Sequence, residues 1–265
     1  MLLPLAAHMQ GLRGRGAHAF IPFLTAGFPD VSTFVALLPR TGAADVLEIG
    51  LPFSDPVADG PTIAQASEVA LAHGMHPDLL FELLGSAGDL PPVVLMTYVN
   101  PVLAYGAERF FERARRAGIA GVILTDLPPE EAAALHQRAT QAGIATVQLV
   151  APTTPEERVA RIAASTTGFL YCVAVTGTTG ARARLDDRAR DTVARVRRVT
   201  TLPVVVGFGI STPDQVRATC EFADGAVVGS ALVDFVRTHA QDPDLPALFE
   251  AELARFARAA HPELG

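Results

Sequence analysis

The chain contains no lysine: all 21 of its basic side chains, in 265 residues, are arginines. Lysine is the side chain that forms Schiff bases with carbonyl substrates and with PLP. Its absence excludes covalent PLP attachment and lysine-dependent aldol chemistry. Any chemistry that the chain performs must depend on other groups.

Cysteines are also few. Cys172 and Cys220 are the two present, and they form no CxxC motif. One possible pair in a chain of this length is no disulfide framework, so we expect reduced thiols in a cytoplasmic protein. Residues 1–10 contain three leucines but no basic segment before them, and no apolar run approaches the length of a membrane span. We therefore expect neither a targeting segment nor a membrane anchor.

The chain lacks an excess of positive charge and any cluster of metal ligands. Its net charge of −7 argues against nucleic acid as a partner, since binding to phosphates requires a positive field. Of the seven scattered histidines only His73 and His76 lie close together, beside Gly74 and Pro77 in a predicted surface turn. No carboxylate cluster accompanies them, and we expect no metal site.

Short β-prone runs alternate with longer amphipathic runs along the sequence, and 49% of the residues are apolar. This alternation is typical of βα units that form a parallel sheet. Eight strands are predicted, at residues 20–24, 46–49, 93–97, 121–124, 146–150, 169–173, 204–206 and 225–228. Helices are predicted at residues 62–72, 77–84, 107–117, 129–142, 155–164, 187–199, 212–220 and 246–260.

Eight βα units in about 250 residues have the size of a (β/α)8 TIM barrel. We predict this α/β fold as one domain, residues 1–265, with parallel strands and extra N-terminal and loop helices. An open doubly wound sheet is the alternative. It is disfavoured because T-A-G-F-P, residues 25–29, stands after the first strand where a dinucleotide fingerprint would be.

One carboxylate stands in the second predicted strand and another in the segment just after it. Glu48 is the one charge in the apolar run 46–49, where the run should begin to leave the core, and a charge there needs a reason. Asp59 follows a proline-containing loop, just before Gly60 and Pro61. A strand end and a loop would present both acids to one place, as in a site with separate acid and base roles. Structural alternatives exist for each: Glu48 could pair with a buried arginine, and Asp59 could be a helix N-cap or turn residue.

In a barrel the active site lies at the C-terminal ends of the strands, so the residues after each strand matter most. Tyr98 and Asn100 follow the third predicted strand, and Thr125 and Asp126 follow the fourth. After the sixth comes a long Gly/Thr loop, residues 174–181. It could be a mobile lid or an ordinary flexible crossover.

Glycines after the last strands indicate a phosphate site. Gly209 follows the seventh strand, and Gly229 and Ser230 follow the eighth, where Ser230 could open a short helix. Backbone amides and a helix N-terminus can hold a phosphate without lysine, and Gly180 lies on a third loop. We predict a phosphate-ester substrate. Apolar bulk at the same mouth would come from Phe23, Ile63, Met96 and Phe208.

With these features assembled, the sequence resembles the tryptophan synthase alpha chain family from residue 20 to about residue 233. The motifs that carry the resemblance are F-I-P-F-L-T-A-G-F-P-D at the first strand, L-E-I-G-L-P-F-S-D-P-V-A-D-G-P-T-I at the second, L-M-T-Y-V-N-P-V at the third, V-I-L-T-D-L-P-P-E-E at the fourth, V-T-G-T-T-G after the sixth, V-V-V-G-F-G-I-S at the seventh and A-D-G-A-V-V-G-S-A-L-V at the eighth. The block at residues 47–63 is specific enough to carry the assignment by itself.

The resemblance implies a carbon-carbon lyase of tryptophan biosynthesis, which cleaves indole-3-glycerol phosphate to indole and glyceraldehyde 3-phosphate. Glu48 would serve as acid and then base, Asp59 would accept a hydrogen bond from the indole nitrogen, and Tyr171 would assist. The implied substrate-binding residues are Phe23, Ile63, Met96 and Phe208 for the indole, Gly180, Gly209, Gly229 and Ser230 for the phosphate, and Thr179 in the lid. Two features depart from the family pattern: Ala174-Val175 stands in place of a Ser-Arg pair, and Met96 in place of an aliphatic residue.

The resemblance also implies a partner, the PLP-dependent beta chain, in an α2β2 assembly, with no cofactor on this chain itself. The partner would face the loops with Phe53, Asp55, Asn100, Pro101 and Pro128. Three alternatives stay open: an activating subunit with weak activity of its own, a stand-alone lyase with the same residues, and a phosphate-sugar isomerase on the same scaffold.

Overall fold

The parallel strands of the sheet form a barrel that is closed except at one residue. In the computed structural model the described residues are 2–173, 182–207 and 209–261. The nine strands found there are β1 (Ala19–Thr25), β2 (Leu47–Gly50), β3 (Val93–Thr97), β4 (Ile119–Leu124), β5 (Ala145–Thr146), β6 (Gln148–Val150), β7 (Leu170–Val173), β8 (Val204–Gly207) and β9 (Gly225–Val228). Their order in the sheet is β5-β4-β3-β2-β1-β9-β8-β7-β6, and all pairings are parallel. This is the predicted TIM barrel.

The fifth predicted strand, residues 146–150, differs from expectation because it is divided in two. β5 pairs with β4 and β6 pairs with β7, and the two pieces are separated only by Val147. The Val147 amide still donates to the Val122 carbonyl of β4. The strand therefore closes the barrel by turning from one neighbour to the other.

Helices surround the strands over the described residues. They are α1 (Pro4–Gly14), α2 (Val31–Leu37), α3 (Pro61–Ala72), α4 (Pro77–Ser86), α5 (Val99–Tyr105), α6 (Ala107–Arg116), α7 (Ala133–Gln141), α8 (Glu156–Ala164), α9 (Arg182–Val199), α10 (Pro213–Cys220), α11 (Ser230–Thr238) and α12 (Leu245–Ala260). α9 begins five residues before its predicted start and α7 four residues after it. None of the described helices combines the length and the apolarity that a membrane span requires.

Local sequence explains several of the helix starts. α3 begins with Pro61, whose fixed φ and missing amide suit the first helical position. α10 begins with a capping box in which Thr212 and Gln215 satisfy each other's backbone amides. His76 caps the start of α4. His73 lies in the turn before this helix and forms a hydrogen bond with the Pro29 carbonyl, so both histidines have structural contacts.

The apolar core has two layers. One lies between the strands and the surrounding helices, and the other fills the barrel interior. Leu5, Met9 and Leu12 of α1 belong to the interior layer and so cover the N-terminal end of the barrel. Since that end is covered by the predicted N-terminal helix, a ligand can enter from the opposite end, where the strands terminate. Cys172 and Cys220 are buried free thiols.

Candidate active site

One cavity of about 240 Å³ opens at the C-terminal end of the barrel. Nine of the predicted site residues line it: Phe23, Glu48, Asp59, Ile63, Met96, Tyr171, Gly209, Gly229 and Ser230. Gly60, Pro61, Thr62 and Val227 also line it, and the sequence did not mark these four as site residues. The remaining predicted residues, Thr179, Gly180 and Phe208, lie outside the described part of the chain, as does the predicted lid at 174–181.

Glu48 is held inside the barrel by its position in β2. In a parallel strand successive side chains alternate between the two faces. Leu47 and Ile49 face the helices, which leaves Glu48 pointing inward with 1% of its surface exposed. Its Oε2 atom has no hydrogen-bond partner in the described structure.

Burial of Glu48 changes its acidity. Loss of hydration raises the pKa of this carboxyl from 4.5 to about 8, and the negative charge of Asp59 adds to the increase. No arginine pairs with Glu48 among the described residues, which removes the alternative of a structural ion pair. At neutral pH the side chain is therefore a protonated acid that can donate to a bound ligand.

Asp59 reaches the same cavity from the loop that follows β2. The N-cap of α3 is Gly60, and no side chain caps that helix, so the prediction that Asp59 could be an N-cap is wrong. Desolvation raises the pKa of Asp59 above its ordinary value, and the nearby Tyr98 hydroxyl opposes part of this increase. Glu48 is the deeper of the two carboxyls, and no described donor opposes the increase of its pKa. The two acids therefore have different environments, as in a site with distinct acid and anion roles.

Tyr171 of β7 lines the same cavity as Glu48, from the other side of the barrel. It is 3% exposed, and burial together with the charge of Glu48 raises the pKa of its hydroxyl well above 10. A Cβ atom at position 207 would collide with the Tyr171 ring and hydroxyl. The absence of a side chain at Gly207 therefore provides the space that Tyr171 occupies. Because its pKa is raised, Tyr171 stays a neutral hydrogen-bond donor at the cavity wall.

Two features on the other side of the cavity suit a phosphate. α11 begins at Ser230, directly after its N-cap Gly229, so free amides at this end of the helix face the cavity. Gly209 has a φ of +80°, a conformation that favours glycine and lets the backbone approach a ligand closely. Both line the cavity, and their binding of an anion stays a prediction.

Apolar side chains surround the carboxylates. Phe23 of β1 passes over Gly50, where a Cβ atom would lie 2.6 Å from the end of its ring. Together with Ile63 and Met96 it forms a nonpolar surface beside Glu48 and Asp59. The cavity thus joins an apolar compartment, two acids and a helix end with free amides, an arrangement that suits an aromatic phosphate ester.

Comparisons with known proteins agree with this geometry. The family model described as tryptophan synthase alpha chain matches residues 9–260, more than the 20–233 span recognised from motifs. The tryptophan synthase alpha chain of Gloeobacter violaceus is 45% identical over 260 residues, which cover 96% of this chain and 92% of that protein. That of Roseiflexus castenholzii is 44% identical, with coverage of 93% and 95%.

Solved structures give the same result. Tryptophan synthase subunit alpha from Legionella pneumophila has a TM-score of 0.89 at 34% identity, covering 99% of this chain and all of that one. Tryptophan synthase from M. tuberculosis, in an aminoacrylate- and BRD0059-bound form, has a TM-score of 0.87 at 32% identity, with coverage of 98% and 99%. The fold, the cavity and these matches together establish that the chain belongs to the tryptophan synthase alpha chain family.

Proposed function

We propose that the chain cleaves indole-3-glycerol phosphate to indole and glyceraldehyde 3-phosphate, as a carbon-carbon lyase of tryptophan biosynthesis. The observation that carries the proposal is the protonated, buried Glu48 facing a second carboxylate, Asp59, in one cavity that ends at the N-terminus of α11. Cleavage needs an acid, an anion and a phosphate site, and this cavity offers groups of all three kinds.

The reaction is a retro-aldol cleavage that begins with a proton transfer. Glu48 donates its proton to indole C3, which converts the ring to an indoleninium cation. The glycerol hydroxyl then loses its proton to the Glu48 carboxylate while the carbon-carbon bond breaks. The bond electrons return to the ring, so indole, the aldehyde and a protonated Glu48 result.

Asp59 and the other residues that line the cavity support these steps. The Asp59 carboxylate accepts a hydrogen bond from the indole N–H and stabilises the positive charge of the ring, most effectively in a site that excludes water. Amides at Gly229 and Ser230 hold the phosphate, while Phe23, Ile63 and Met96 hold the indole. Tyr171 assists as a hydrogen-bond donor. No Schiff base is available because the chain has no lysine.

We further propose that the chain works with a beta chain, as an α2β2 assembly in which the beta chain carries PLP. Phe53 and Asp55 lie in the loop after β2 and Pro128 follows β4, as predicted, whereas Asn100 and Pro101 belong to the first turn of α5 and not to a loop. All five follow the C-terminal ends of strands, and we expect them to face the partner. Membership of the alpha chain family supports work with a second chain, and one matched structure, from M. tuberculosis, is named as tryptophan synthase and not as its alpha chain alone.

The test is indole release from indole-3-glycerol phosphate by the wild type and Glu48→Gln, each with and without a beta chain. We expect release that increases with the partner and falls by about a thousandfold or more in the variant, since the amide has no acidic proton to donate. Release that survives in Glu48→Gln would contradict the assigned acid. Release that is full without a partner would favour a stand-alone lyase, and none from the wild type would favour an isomerase or a purely activating subunit.

A further inference from the structure

Tyr98, which directly follows β3, joins the Asp59 loop to the barrel. Its side chain is 3% exposed, and its ring packs against Phe53 with centroids 5.2 Å apart. Phe53 and Asp59 belong to the same segment, residues 52–59, which we call the acid loop. The tyrosine thus lies underneath the loop that carries one of the two carboxylates.

The acid loop has little else to fix its position. Within the described residues its hydrogen bonds are local, except that the Ala58 amide donates to the Tyr98 hydroxyl at 3.1 Å. Ala58 is the residue before Asp59, so this bond acts next to the carboxylate. The same hydroxyl is close enough to Asp59 and to Thr125 for each of them to affect its pKa.

Tyr98 is itself held firmly by the end of β4. The Thr125 amide donates to the Thr97 carbonyl at 3.0 Å, on one side of the tyrosine. On the other side the Val99 amide donates to Asp126 Oδ1 at 2.8 Å. The peptide groups on both sides of Tyr98 are therefore fixed by the two residues that directly follow β4. These contacts restrict the movement of the phenol ring.

We propose that Tyr98 is a positioning residue whose hydroxyl holds the acid loop so that Asp59 stays in the cavity, opposite Glu48. This inference rests on the proposed lyase reaction. A carboxylate on a loop loses its electrostatic effect when it can swing away from the developing charge, because preorganisation is what makes such a group effective. Tyr98 supplies that preorganisation without touching the reacting atoms.

The test is Tyr98→Phe, which removes one oxygen and keeps the ring on Phe53. We expect kcat for indole release to fall about tenfold or more while KM changes little, because the lost contact affects the transition state more than substrate binding. The acid limb of kcat/KM should also move to higher pH, since the Tyr98 hydroxyl lowers the pKa of Asp59. The described titratable groups around Asp59 are Glu48 and Tyr98, with Tyr171 next to Glu48.

Tyr105→Phe is the matched control. Tyr105 ends α5, the helix that Tyr98 precedes, and its hydroxyl bonds Asp78 on the outside of the barrel. We expect this variant to keep the wild-type kcat and pH profile. An equal loss in both variants, or an unchanged kcat and pH profile in Tyr98→Phe, would overturn the proposal.

A double-mutant cycle with Asp59→Asn identifies the route of the effect. If Tyr98 acts through Asp59, Tyr98→Phe should reduce kcat little further in the Asp59→Asn background. If the two residues act independently, the fold-reductions in kcat of the single variants multiply in the double variant, and that result would overturn the proposal. Failure of the lyase assignment would be distinct, since the wild type itself would then release no indole.

Discussion

At the scale of single residues, the buried acid to which we assign the proton transfers also opposes folding. Glu48 is buried, and its Oε2 has no hydrogen-bond partner among the described residues, so the barrel tolerates its neutral form and penalises its charged form. The pKa of about 8 expresses this penalty. A proton donor at neutral pH, such as the proposed reaction needs, therefore comes with a loss of stability, as is common for functional sites.

This gives a prediction for stability against pH. Below pH 4.5 folded and unfolded chains both hold the Glu48 proton, whereas between pH 4.5 and the folded pKa of about 8 only the unfolded chain releases it. The contribution of Glu48 to the free energy of unfolding therefore falls as pH rises through this window, and levels off above it. We expect Glu48→Gln to remove that slope and to be more stabilising at pH 8 than at pH 5, by about 2–4 kcal/mol.

Urea unfolding of both proteins across this pH range measures the effect. Glu68→Gln is the control, since Glu68 is exposed on α3 and its replacement should leave the slope as in the wild type. A constant difference between wild type and Glu48→Gln from pH 5 to pH 8 would contradict the raised pKa.

At the scale of elements, side chains just before one strand bind the start of another. Asp45 accepts from the Phe20 amide of β1, Asp224 from the Val204 amide of β8, and Thr167 from the Thr146 amide of β5, each at 2.8 Å. Amides at the N-terminal edge of a parallel sheet need such acceptors. These contacts fix the end of the barrel opposite the cavity.

Substitutions of Asp224 measure how much one of these contacts contributes to the free energy of unfolding. Asp224→Ala leaves the buried Val204 amide without a partner, and we expect a loss of about 1–3 kcal/mol in the free energy of unfolding. Asp224→Asn keeps an acceptor oxygen and should lose less than half as much. Urea denaturation distinguishes the two. Equal losses of stability in the two variants would instead show that the ion pairs of Asp224 with Arg13 and Arg197 are responsible.

At the scale of the whole molecule, exposed apolar residues at the cavity end suit the proposed contact with a beta chain. Val57 in the acid loop is 83% exposed, and Leu103 on α5 is 57% exposed. Both lie close in sequence to the residues that we expect to face the partner. Apolar side chains that become buried on association contribute much of the binding energy of an interface.

We expect Leu103→Asp to weaken beta-chain binding about tenfold or more, because it would bury a charge at the contact. Leu2→Asp is the control, since Leu2 is 55% exposed just before α1, at the opposite end of the barrel. Titration of the beta chain against each variant, with indole release as the signal, gives the affinities. Equal binding by wild type and Leu103→Asp would place the contact elsewhere.

The sequence by itself determined the barrel, because the alternation of apolar strands with amphipathic helices is a local pattern that repeats along the chain. It also placed Glu48 in the second strand and Asp59 before α3, since Gly60 and Pro61 indicate where that helix starts. The sequence had suggested that Glu48 ends this strand, whereas it is the second residue of β2 and does not end it. It missed α2 and α5, which have seven residues each, too few to show a helical period.

Only the tertiary structure decided that Glu48 has no basic partner among the described residues, that strand five divides at Val147, and that the Tyr98 hydroxyl accepts from the Ala58 amide. Tyr98 and Ala58 are 40 residues apart, and no local pattern specifies such a contact. The pKa of Glu48 likewise depends on every group that excludes water from the cavity. Backbone conformation follows from neighbours in sequence, whereas pairing and desolvation follow from neighbours in space.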